Sequence, residues 1–396
     1  MPESSYSGKP AVERLVAEDI RQTVWLRLRR LTSSKLCRQI ISARTSTLTP
    51  EVLDSKSEGV AWAVRSALGY WDSNPADLNA KILTRYYALL QISIAEQVAS
   101  PNPSFDLNEV QRHTEQGHGL STLSDPTAIF PNSYYLAGLR SGHFYSYRRY
   151  KGIDLGEYAF EKRPRVFSKL NPEEQNRLVS LTDLFRRVPE LSPVVEEYLS
   201  VQPLSLHVGY ANKNMANRSQ ITRQQIMRRE QPAQTPAATT PNQITYIAIY
   251  SKGPQITEGY LNSLGLPIKN ITAEHDSPTN SHYFVGEFTH RAGGHWWQHL
   301  ETYKSGYSGT TIILPLWGSI SDAFVIHFIV LYALSIVVRY LPSLWHDIEN
   351  GELNHIRALI EHYLAIVDGV LPRMSVERIT GVRLVVDQPG SMNAPV

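Results

Sequence analysis

The sequence predicts an α+β protein with a mainly helical body, a small inserted β-sheet and a C-terminal helical pair. Three observations support this class. Apolar residues recur at helical spacing through most of residues 11–200, three β-rich segments lie together between residues 244 and 316, and helical character returns from residue 320. Of the 396 residues, 42% are hydrophobic and 19% charged, which is typical of a soluble protein large enough for two or three domains.

The helical body is predicted from apolar stripes. The first stripe has apolar residues at intervals of three to five positions, at Leu15, Ile20, Val24, Leu28 and Leu31. A broader stripe runs through residues 78–98, which contain no glycine or proline. Another helix is predicted over residues 172–188, because Asn171 is a favoured N-cap and proline is favoured in the first turn of a helix. Between these helices, residues 101–165 are irregular, and the aromatic-rich segment 143–150 predicts a strand.

Composition changes at about residue 211. Residues 212–229 contain five basic residues and no acid, and residues 231–243 consist mainly of Gln, Pro, Ala and Thr, which predicts a linker or surface loop. Strands are then predicted over 244–250, 282–288 and 310–316, where β-branched and aromatic residues are enriched.

Two helices are predicted to close the chain, over 320–341 and 352–371, with Pro372 ending the second. Residues 324–338 are almost entirely apolar, but they are shorter than the roughly 18 to 20 residues of a bilayer crossing, so we expect a buried helix and no membrane span. The predicted domains are a helical domain with an irregular Tyr/Gly-rich insert (1–210), a basic, low-complexity linker or loop (211–243), a small β-containing region (244–319) and C-terminal helices that pack on the body (320–396).

Cysteine content and charge restrict the compartment and the partners. The single cysteine, Cys37, excludes an internal disulfide and a cysteine-based zinc cluster. The first residues are polar and show no apolar signal segment, so we expect a cytoplasmic protein. Because the formal net charge is only +2, a nucleic-acid surface would have to be a local patch. No phosphate-binding loop, dinucleotide fingerprint or nucleophile elbow occurs in the sequence, and we expect no cofactor.

Four short motifs follow one another along the chain: Val24-Trp25-Leu26-Arg27-Leu28, Tyr86-Tyr87-Ala88-Leu89-Leu90-Gln91-Ile92, His118-Gly119-Leu120-Ser121, and His327 to Ser335 followed by Arg339-Tyr340 and Trp345. In this order they resemble the YaaC-like family of bacterial proteins, in which the third motif reads His-Gly-(Val/Leu)-(Ser/Thr). The resemblance extends almost from end to end and brings no established reaction. Residues 212–243 are an addition relative to the family.

A second resemblance concerns chemistry. The spacing Arg112-x5-His118 is similar to the Arg-x4-6-His signature of HEPN ribonucleases, small helical and often dimeric modules that cut RNA in toxin and antiviral systems. It implies that Arg112 holds the scissile phosphate and that His118 acts as general acid or base. Gly117 and Gly119 flank the histidine and predict a turn. In the alternative interpretation, His118 bonds a backbone carbonyl and Arg112 pairs with Glu109 or Glu115.

Two other constellations are candidates for a site. His295 and His299 have the i, i+4 spacing of metal ligands, although the same segment could simply connect a strand to a helix, and no metal site is predicted. A strip of basic and aromatic side chains could instead contact the phosphates and nucleobases of a nucleic acid, supplemented by the basic segment after residue 211. In the alternative interpretation, the tyrosines of this strip are half-buried packing residues. The predicted nucleic-acid contacts are Arg140, Tyr147, Arg148, Arg149, Lys151, Arg223, Arg228 and Arg229.

The leading functional prediction is an RNA-acting protein, a metal-independent endoribonuclease of a toxin or antiviral system, with Arg112 and His118 as catalytic residues. The competing prediction is a non-catalytic scaffold or regulatory subunit that binds a protein or nucleic-acid partner. A metal-dependent hydrolase that uses His295 and His299 is the third. The partners expected are RNA or single-stranded nucleic acid, and a partner protein or a second copy of the chain.

Overall fold

The computed structural model describes residues 11–73, 75–211, 242–250, 256–276, 281–291, 296, 299–300, 302–303 and 310–387. Over these residues the protein is mainly helical with small sheets, which confirms the predicted α+β class. The chain divides into two compact units. Unit one runs up to Leu181 and resumes at His327, and unit two is Thr182–Ile326.

The helices and strands follow one another along the chain. Up to the first unit boundary they are β1 (Ala11–Val16), α1 (Ile20–Arg30), α2 (Ser34–Arg44), α3 (Pro50–Asp72), α4 (Leu78–Val98), α5 (Leu107–Thr114), β2 (Leu120–Ser124), β3 (Tyr134–Gly138), α6 (His143–Tyr150), α7 (Pro172–Asn176) and β4 (Val179–Ser180). Then come α8 (Leu181–Phe185), α9 (Ser192–Leu199), β5 (Ser205–Tyr210), β6 (Asn242–Tyr250), α10 (Glu258–Ser263), β7 (Ile268–Asp276), β8 (Ser281–Arg291) and β9 (Thr311–Ile313). The last are α11 (Ala323–Tyr340), α12 (Pro342–Asn350), α13 (Asn354–Thr380) and β10 (Val382–Asp387).

Unit one is built on packed helices. Asp19, Ser33, Thr49, Asp77 and Asp106 begin α1 to α5, each accepting a hydrogen bond from a backbone N–H in the first turn of its helix. The helix α3 packs along α4, and α13 packs on both α1 and α4. Strands β1 and β10 pair in parallel, and β2, β3 and β4 form a small antiparallel sheet.

Helix α11 is an interior helix, as the sequence predicts. Its 18 residues have a mean hydropathy of 2.0 and are the one stretch in the described part of the chain long and apolar enough to cross a membrane. However, 78% of these residues are buried inside the protein. Phe324, Phe328 and Leu331 have no exposed surface at all. A helix enclosed by protein can be apolar on every face, because each face is buried.

Unit two contains an antiparallel sheet in the order β7-β8-β6-β5-β9. Leu206, Val208, Ile247 and Ile249 of its central strands pack with Leu261 of α10 in one apolar core. The strands predicted over 244–250 and 282–288 are confirmed, and β9 covers only three residues, Thr311–Ile313, of the segment predicted over 310–316. The enrichment of β-branched and aromatic residues in these segments reflects their burial against that core.

The strand predicted over 143–150 is wrong, because the segment forms α6. Its buried side chains include His143, Phe144 and Tyr147, which share one face of a helix by their i, i+1 and i+4 spacing. The frequency of aromatic residues favoured a strand, but packing of this face against α4 and α5 decides the outcome. Propensity is a weaker determinant than burial of an apolar face.

Two helix ends also differ from the prediction. Asn171 caps α7 as expected, in a capping box with Glu174, but α7 ends at Asn176 and Val179–Ser180 pairs with β3. Pro372 lies inside α13, which continues to Thr380 and ends at Gly381, whose φ is +71°. A buried proline removes one backbone hydrogen bond, and the apolar residues buried beyond it outweigh that loss.

Candidate functional site

His118 lies in the loop between α5 and β2, between two glycines in the left-handed backbone region. Gly117 has a φ of +100° and Gly119 a φ of +77°, which residues with a side chain rarely adopt. A Cβ atom on Gly119 would also lie 2.8 Å from the backbone nitrogen of Phe144. That nitrogen donates to the carbonyl of His118 at 2.9 Å, so the loop is held against the start of α6. The predicted turn is therefore present, and the two glycines determine the position of His118 in the loop.

The imidazole of His118 has one bound and one open nitrogen. Nδ1 is 2.8 Å from the hydroxyl of Tyr86 on α4, and the ring also contacts Tyr332 of α11 at a centroid distance of 5.5 Å. Within the described ranges Nε2 has no hydrogen bond, and the His118 side chain is only partly buried. A phenol hydroxyl can donate or accept, so the Tyr86 bond persists when Nε2 gains or loses a proton.

Burial and a neighbouring arginine shift the titration of His118. Desolvation lowers the pKa of the half-buried imidazole, and the positive charge of Arg339 lowers it further. His118 is therefore neutral at neutral pH, with a tautomer available that carries a lone pair on Nε2. Burial also raises the pKa of Tyr86, so its phenol stays protonated.

Arg339 sits near the end of α11 and is held by three hydrogen bonds. Its Nε and Nη2 donate to the carbonyl and the hydroxyl of Ser335 at 2.9 and 3.1 Å, and Nη1 donates to the hydroxyl of Tyr87 at 3.3 Å. No carboxylate pairs with Arg339 in the part of the chain that the structure covers. A fixed, half-buried guanidinium without a counter-charge is suited to binding an anion.

A second arginine, Arg163, acts on Tyr332 together with Arg339. Arg163 is exposed, and its Nε donates to the hydroxyl of Ser121 at 3.1 Å. Burial raises the pKa of Tyr332 to about 12, while the charges of Arg163 and Arg339 oppose that rise. Like Arg339, Arg163 has no carboxylate partner among the described residues. We call His118, Tyr86, Tyr332, Arg339 and Arg163 the His118 cluster.

The cluster unites motifs that are far apart in sequence. Tyr86 comes from the second of the four family motifs, His118 from the third, and Tyr332 and Arg339 from the fourth. Sequence reasoning identified His118 but did not assign Tyr86, Arg163, Tyr332 or Arg339 to the site. The signal available for three of these four was their presence in the motifs that carry the family resemblance.

Arg112 is placed differently. Its side chain is 70% exposed on α5 and pairs with Glu109, which also accepts from Nε2 of His113 at 3.1 Å. No contact joins Arg112 to His118 anywhere in the described structure. The ion pair with Glu109 matches the alternative interpretation of Arg112, and the catalytic pairing of Arg112 with His118 stays a prediction.

Most of the predicted nucleic-acid strip is engaged within the fold. Tyr147 is fully buried and donates to Oε2 of Glu96 at 2.5 Å. Carboxylates also pair with Lys151 (Glu96, 2.9 Å), Arg140 (Glu161, 3.0 Å) and Arg148 (Asp154, 3.5 Å).

Arg149 is the exception in the strip. It is exposed, stacks at 5.5 Å from the centroid of the Tyr145 ring, and has no acidic partner in the described portion of unit one. Of the predicted contacts, Arg223, Arg228 and Arg229 lie outside the described residues. Arg149 is therefore the member of the strip best placed to contact a ligand.

The histidine pair with metal-ligand spacing is only partly covered. His295 lies outside the described residues, and His299 is exposed and stacks on His290 at a centroid distance of 5.1 Å. His290 also contacts the hydroxyl of Thr245 through Nε2 at 2.8 Å. Over the residues that the structure describes, no group of three or more His, Cys, Asp or Glu side chains is arranged to hold a metal ion.

Comparison with known proteins identifies one family. The sequence model of the YaaC-like protein family matches residues 32–379 of the 396. No curated protein and no solved structure gives a significant match.

Proposed function

The chain belongs to the YaaC-like family, and from this premise we propose that it acts on RNA as a metal-independent endoribonuclease, in a toxin or antiviral system of the cytoplasm. His118 is the reacting group of the proposal. The support comes from one observation: His118, whose Nε2 has no hydrogen bond among the described residues, is close enough to Arg339 for that charge to lower its pKa, and Arg339 is held in place without a carboxylate among the described residues. A proton-transfer group next to a fixed positive charge is the minimum needed to cleave a phosphodiester without a metal ion.

The proposed step uses the ribose hydroxyl of the substrate. Nε2 of His118 takes the proton of the 2′-OH, the 2′-oxygen bonds to phosphorus, and the bond from phosphorus to the 5′-oxygen breaks. The departing oxygen takes a proton from water or from the imidazolium, which leaves a 2′,3′-cyclic phosphate and a 5′-hydroxyl. Arg339 would bind the non-bridging oxygens and stabilise the charge that develops on them.

Other basic residues have supporting roles in the proposal. Arg149 and the arginines Arg223, Arg228 and Arg229 would bind phosphates along the strand and supply salt-dependent affinity. Arg112, exposed on α5, would reach the phosphate from a second copy of the chain, as the resemblance to dimeric ribonucleases implies. Arg339 replaces Arg112 as the arginine that serves His118 within one chain.

The test is cleavage of labelled single-stranded RNA in EDTA. We expect the native protein to cut and His118→Ala to be slowed at least ~100-fold, the range of general acid–base effects. Arg339→Gln should lose most activity, and Arg112→Gln should lower activity in a dimer, where Arg112 reaches the phosphate from the second copy, and leave a monomer unaffected. Circular dichroism and thermal melting would confirm that each variant is folded, and end-group analysis would identify the cyclic phosphate.

Equal cutting by the native protein and His118→Ala, or no cutting by either on a panel of RNAs, would exclude the nuclease. Stable binding of RNA or of a protein without cleavage would instead favour the non-catalytic scaffold or regulatory subunit.

A further inference from the structure

The His118 cluster continues outward into a row of aromatic rings. We infer that this row binds unpaired nucleobases and restricts the site to single-stranded RNA. The inference rests on the proposed function and adds a substrate class and a binding site to it. We call Tyr70, Tyr87 and Tyr340 the aromatic strip.

The strip is continuous across three helices. The ring of Tyr70 on α3 stacks on the ring of Tyr87 on α4, with centroids 5.4 Å apart and planes at 26°. The hydroxyl of Tyr87 accepts from Nη1 of Arg339 at 3.3 Å, and Cζ of Arg339 lies 5.2 Å from the centroid of the Tyr340 ring. The guanidinium of Arg339 thus contacts two tyrosines, the hydroxyl of Tyr87 and the ring of Tyr340.

Both ends of the strip face solvent. Tyr340 is 64% exposed and Tyr70 is 37% exposed, so each has ring surface available to a ligand. Single exposed aromatic residues are common on protein surfaces. In this row, however, the two exposed rings lie at opposite ends of one series of contacts. Its member Tyr87 contacts Tyr86 at a centroid distance of 5.3 Å, and Tyr86 is hydrogen-bonded to His118.

The charge of the strip selects an anionic ligand. Arg339 provides a fixed positive charge, and the contacts of Tyr70, Tyr87 and Tyr340 that the structure shows include no carboxylate. Arg163 adds a second positive charge near Tyr332. Free phosphate would use the arginines but would leave the rings exposed, whereas a nucleotide chain offers a phosphate and planar bases together.

The accessibility of the bases then separates single strands from duplexes. Aromatic side chains recognise RNA by stacking on bases that have left their neighbours, and these occur in loops, ends and single strands. In a duplex each base is already stacked and paired, so only the phosphates could contact the site. Recognition by the strip therefore requires unpaired bases.

The experiment uses full-length His118→Ala protein, which is expected to bind RNA without cutting it. Fluorescence anisotropy at constant ionic strength would measure Kd for a labelled single-stranded RNA and for the same RNA annealed to its complement. Single-stranded RNA should bind at least tenfold more tightly than the duplex. Adding Tyr340→Ala or Tyr70→Ala should weaken single-strand binding by about 5- to 100-fold, the effect of one base–aromatic stack, and should leave duplex binding unchanged.

Two control substitutions test whether the effect comes from stacking. Tyr340→Phe keeps the ring and should bind normally. Trp62→Ala removes a large aromatic side chain, 50% exposed on the same helix as Tyr70, that has no ring contact with the strip, and it should have no effect. Thermal melting would show that the variants are folded.

Equal affinity for the two RNAs, or unchanged single-strand binding in both alanine variants, would overturn the inference and leave the nuclease proposal standing. Failure to bind any RNA would overturn both.

Discussion

The protonation state of His118 should depend on whether an anion is bound at Arg339. Burial is the larger cause of its lowered pKa, and the charge of Arg339 is the second. An anion bound at Arg339 would cancel part of that charge and raise the pKa of His118. The same arginine would therefore keep the histidine neutral before the substrate binds and favour its protonated form once a phosphate is in place.

We predict that Arg339→Gln raises the pKa of His118 toward its ordinary value without reaching it, because the burial remains. The measurement is an NMR titration of the imidazole resonances in both proteins. Arg112→Gln is the control, since Arg112 is exposed, pairs with Glu109 and is not a cause of the His118 shift. A shift of equal size in the control would show that Arg339 has no specific influence.

We predict that Tyr86→Phe lowers the rate of cleavage by about tenfold or more with little change in KM. The phenyl ring fills the same buried space, but Nδ1 of His118 loses its hydrogen bond and the ring its fixed orientation. The stability loss should be about 1 kcal/mol. Tyr70→Phe, which removes a hydroxyl on the exposed end of the aromatic strip, should cleave normally; a native rate for Tyr86→Phe would contradict a role for this hydrogen bond.

At the scale of single elements, the sequence predicts what depends on local pattern. The cap at Asn171, the interior helix α11 and two central strands of unit two follow from periodicity and turn chemistry. Local pattern does not predict the helix α6, nor that α13 continues past Pro372, because burial against neighbouring elements decides both. Local preference is a prior that tertiary packing can override.

The same distinction applies to the candidate site. His118 is recognisable from its flanking glycines and its motif, which are local features. Tyr86 comes from α4, 32 positions before it, and Arg339 comes from α11, after all the elements of unit two. Spacing along the chain cannot show that these side chains meet, and it favoured the nearby Arg112 instead.

A buried ion pair connects α4 to α13. Nε and Nη2 of Arg85 donate to the two carboxylate oxygens of Asp368 at 2.6 and 3.2 Å, and the Arg85 side chain is only 3% exposed. We predict that Asp368→Asn destabilises the protein by about 3–5 kcal/mol, because it leaves the guanidinium buried without its counter-charge. Urea denaturation followed by circular dichroism would measure the loss.

The control is the pair Arg29–Asp72, which also makes two hydrogen bonds, from Nη1 and Nη2 of Arg29 at 3.0 and 2.8 Å, with both side chains 48% exposed. Asp72→Asn should lower stability by about 1 kcal/mol or less, because solvent screens an exposed pair. Similar losses in the two variants would show that burial does not determine the strength of the Arg85–Asp368 pair.

At the scale of the whole molecule, the order of the elements determines when the site is complete. Unit one is interrupted by the whole of unit two, and its core is finished only by α11 and α13, after the chain returns at His327. Tyr332, Arg339 and Asp368 all belong to this last part. The His118 cluster therefore depends on long-range closure of the chain, which is why no single segment of the sequence reveals it.

A buried histidine of unit one should make the protein sensitive to acid. His143 begins α6 and contacts Ser93 of α4 through Nε2 at 2.7 Å and Thr114 of α5 through Nδ1 at 3.2 Å. Burial, with smaller effects of His118 and His113, lowers its pKa to about 3. In the unfolded chain the pKa of histidine is about 6.5. Between this pH and about 3 the unfolded state therefore binds a proton at His143 that the folded state does not bind.

We therefore predict that stability is unaffected by His143 above about pH 6.5 and falls as the pH is lowered toward 3, by up to about 1.4 kcal/mol per pH unit from this group. Melting temperatures between pH 7 and 4 would measure the decline. His143→Gln, which is neutral throughout, should flatten it, whereas His346→Gln, at a side chain 72% exposed, should not. An unchanged pH dependence in His143→Gln would show that other groups control acid unfolding.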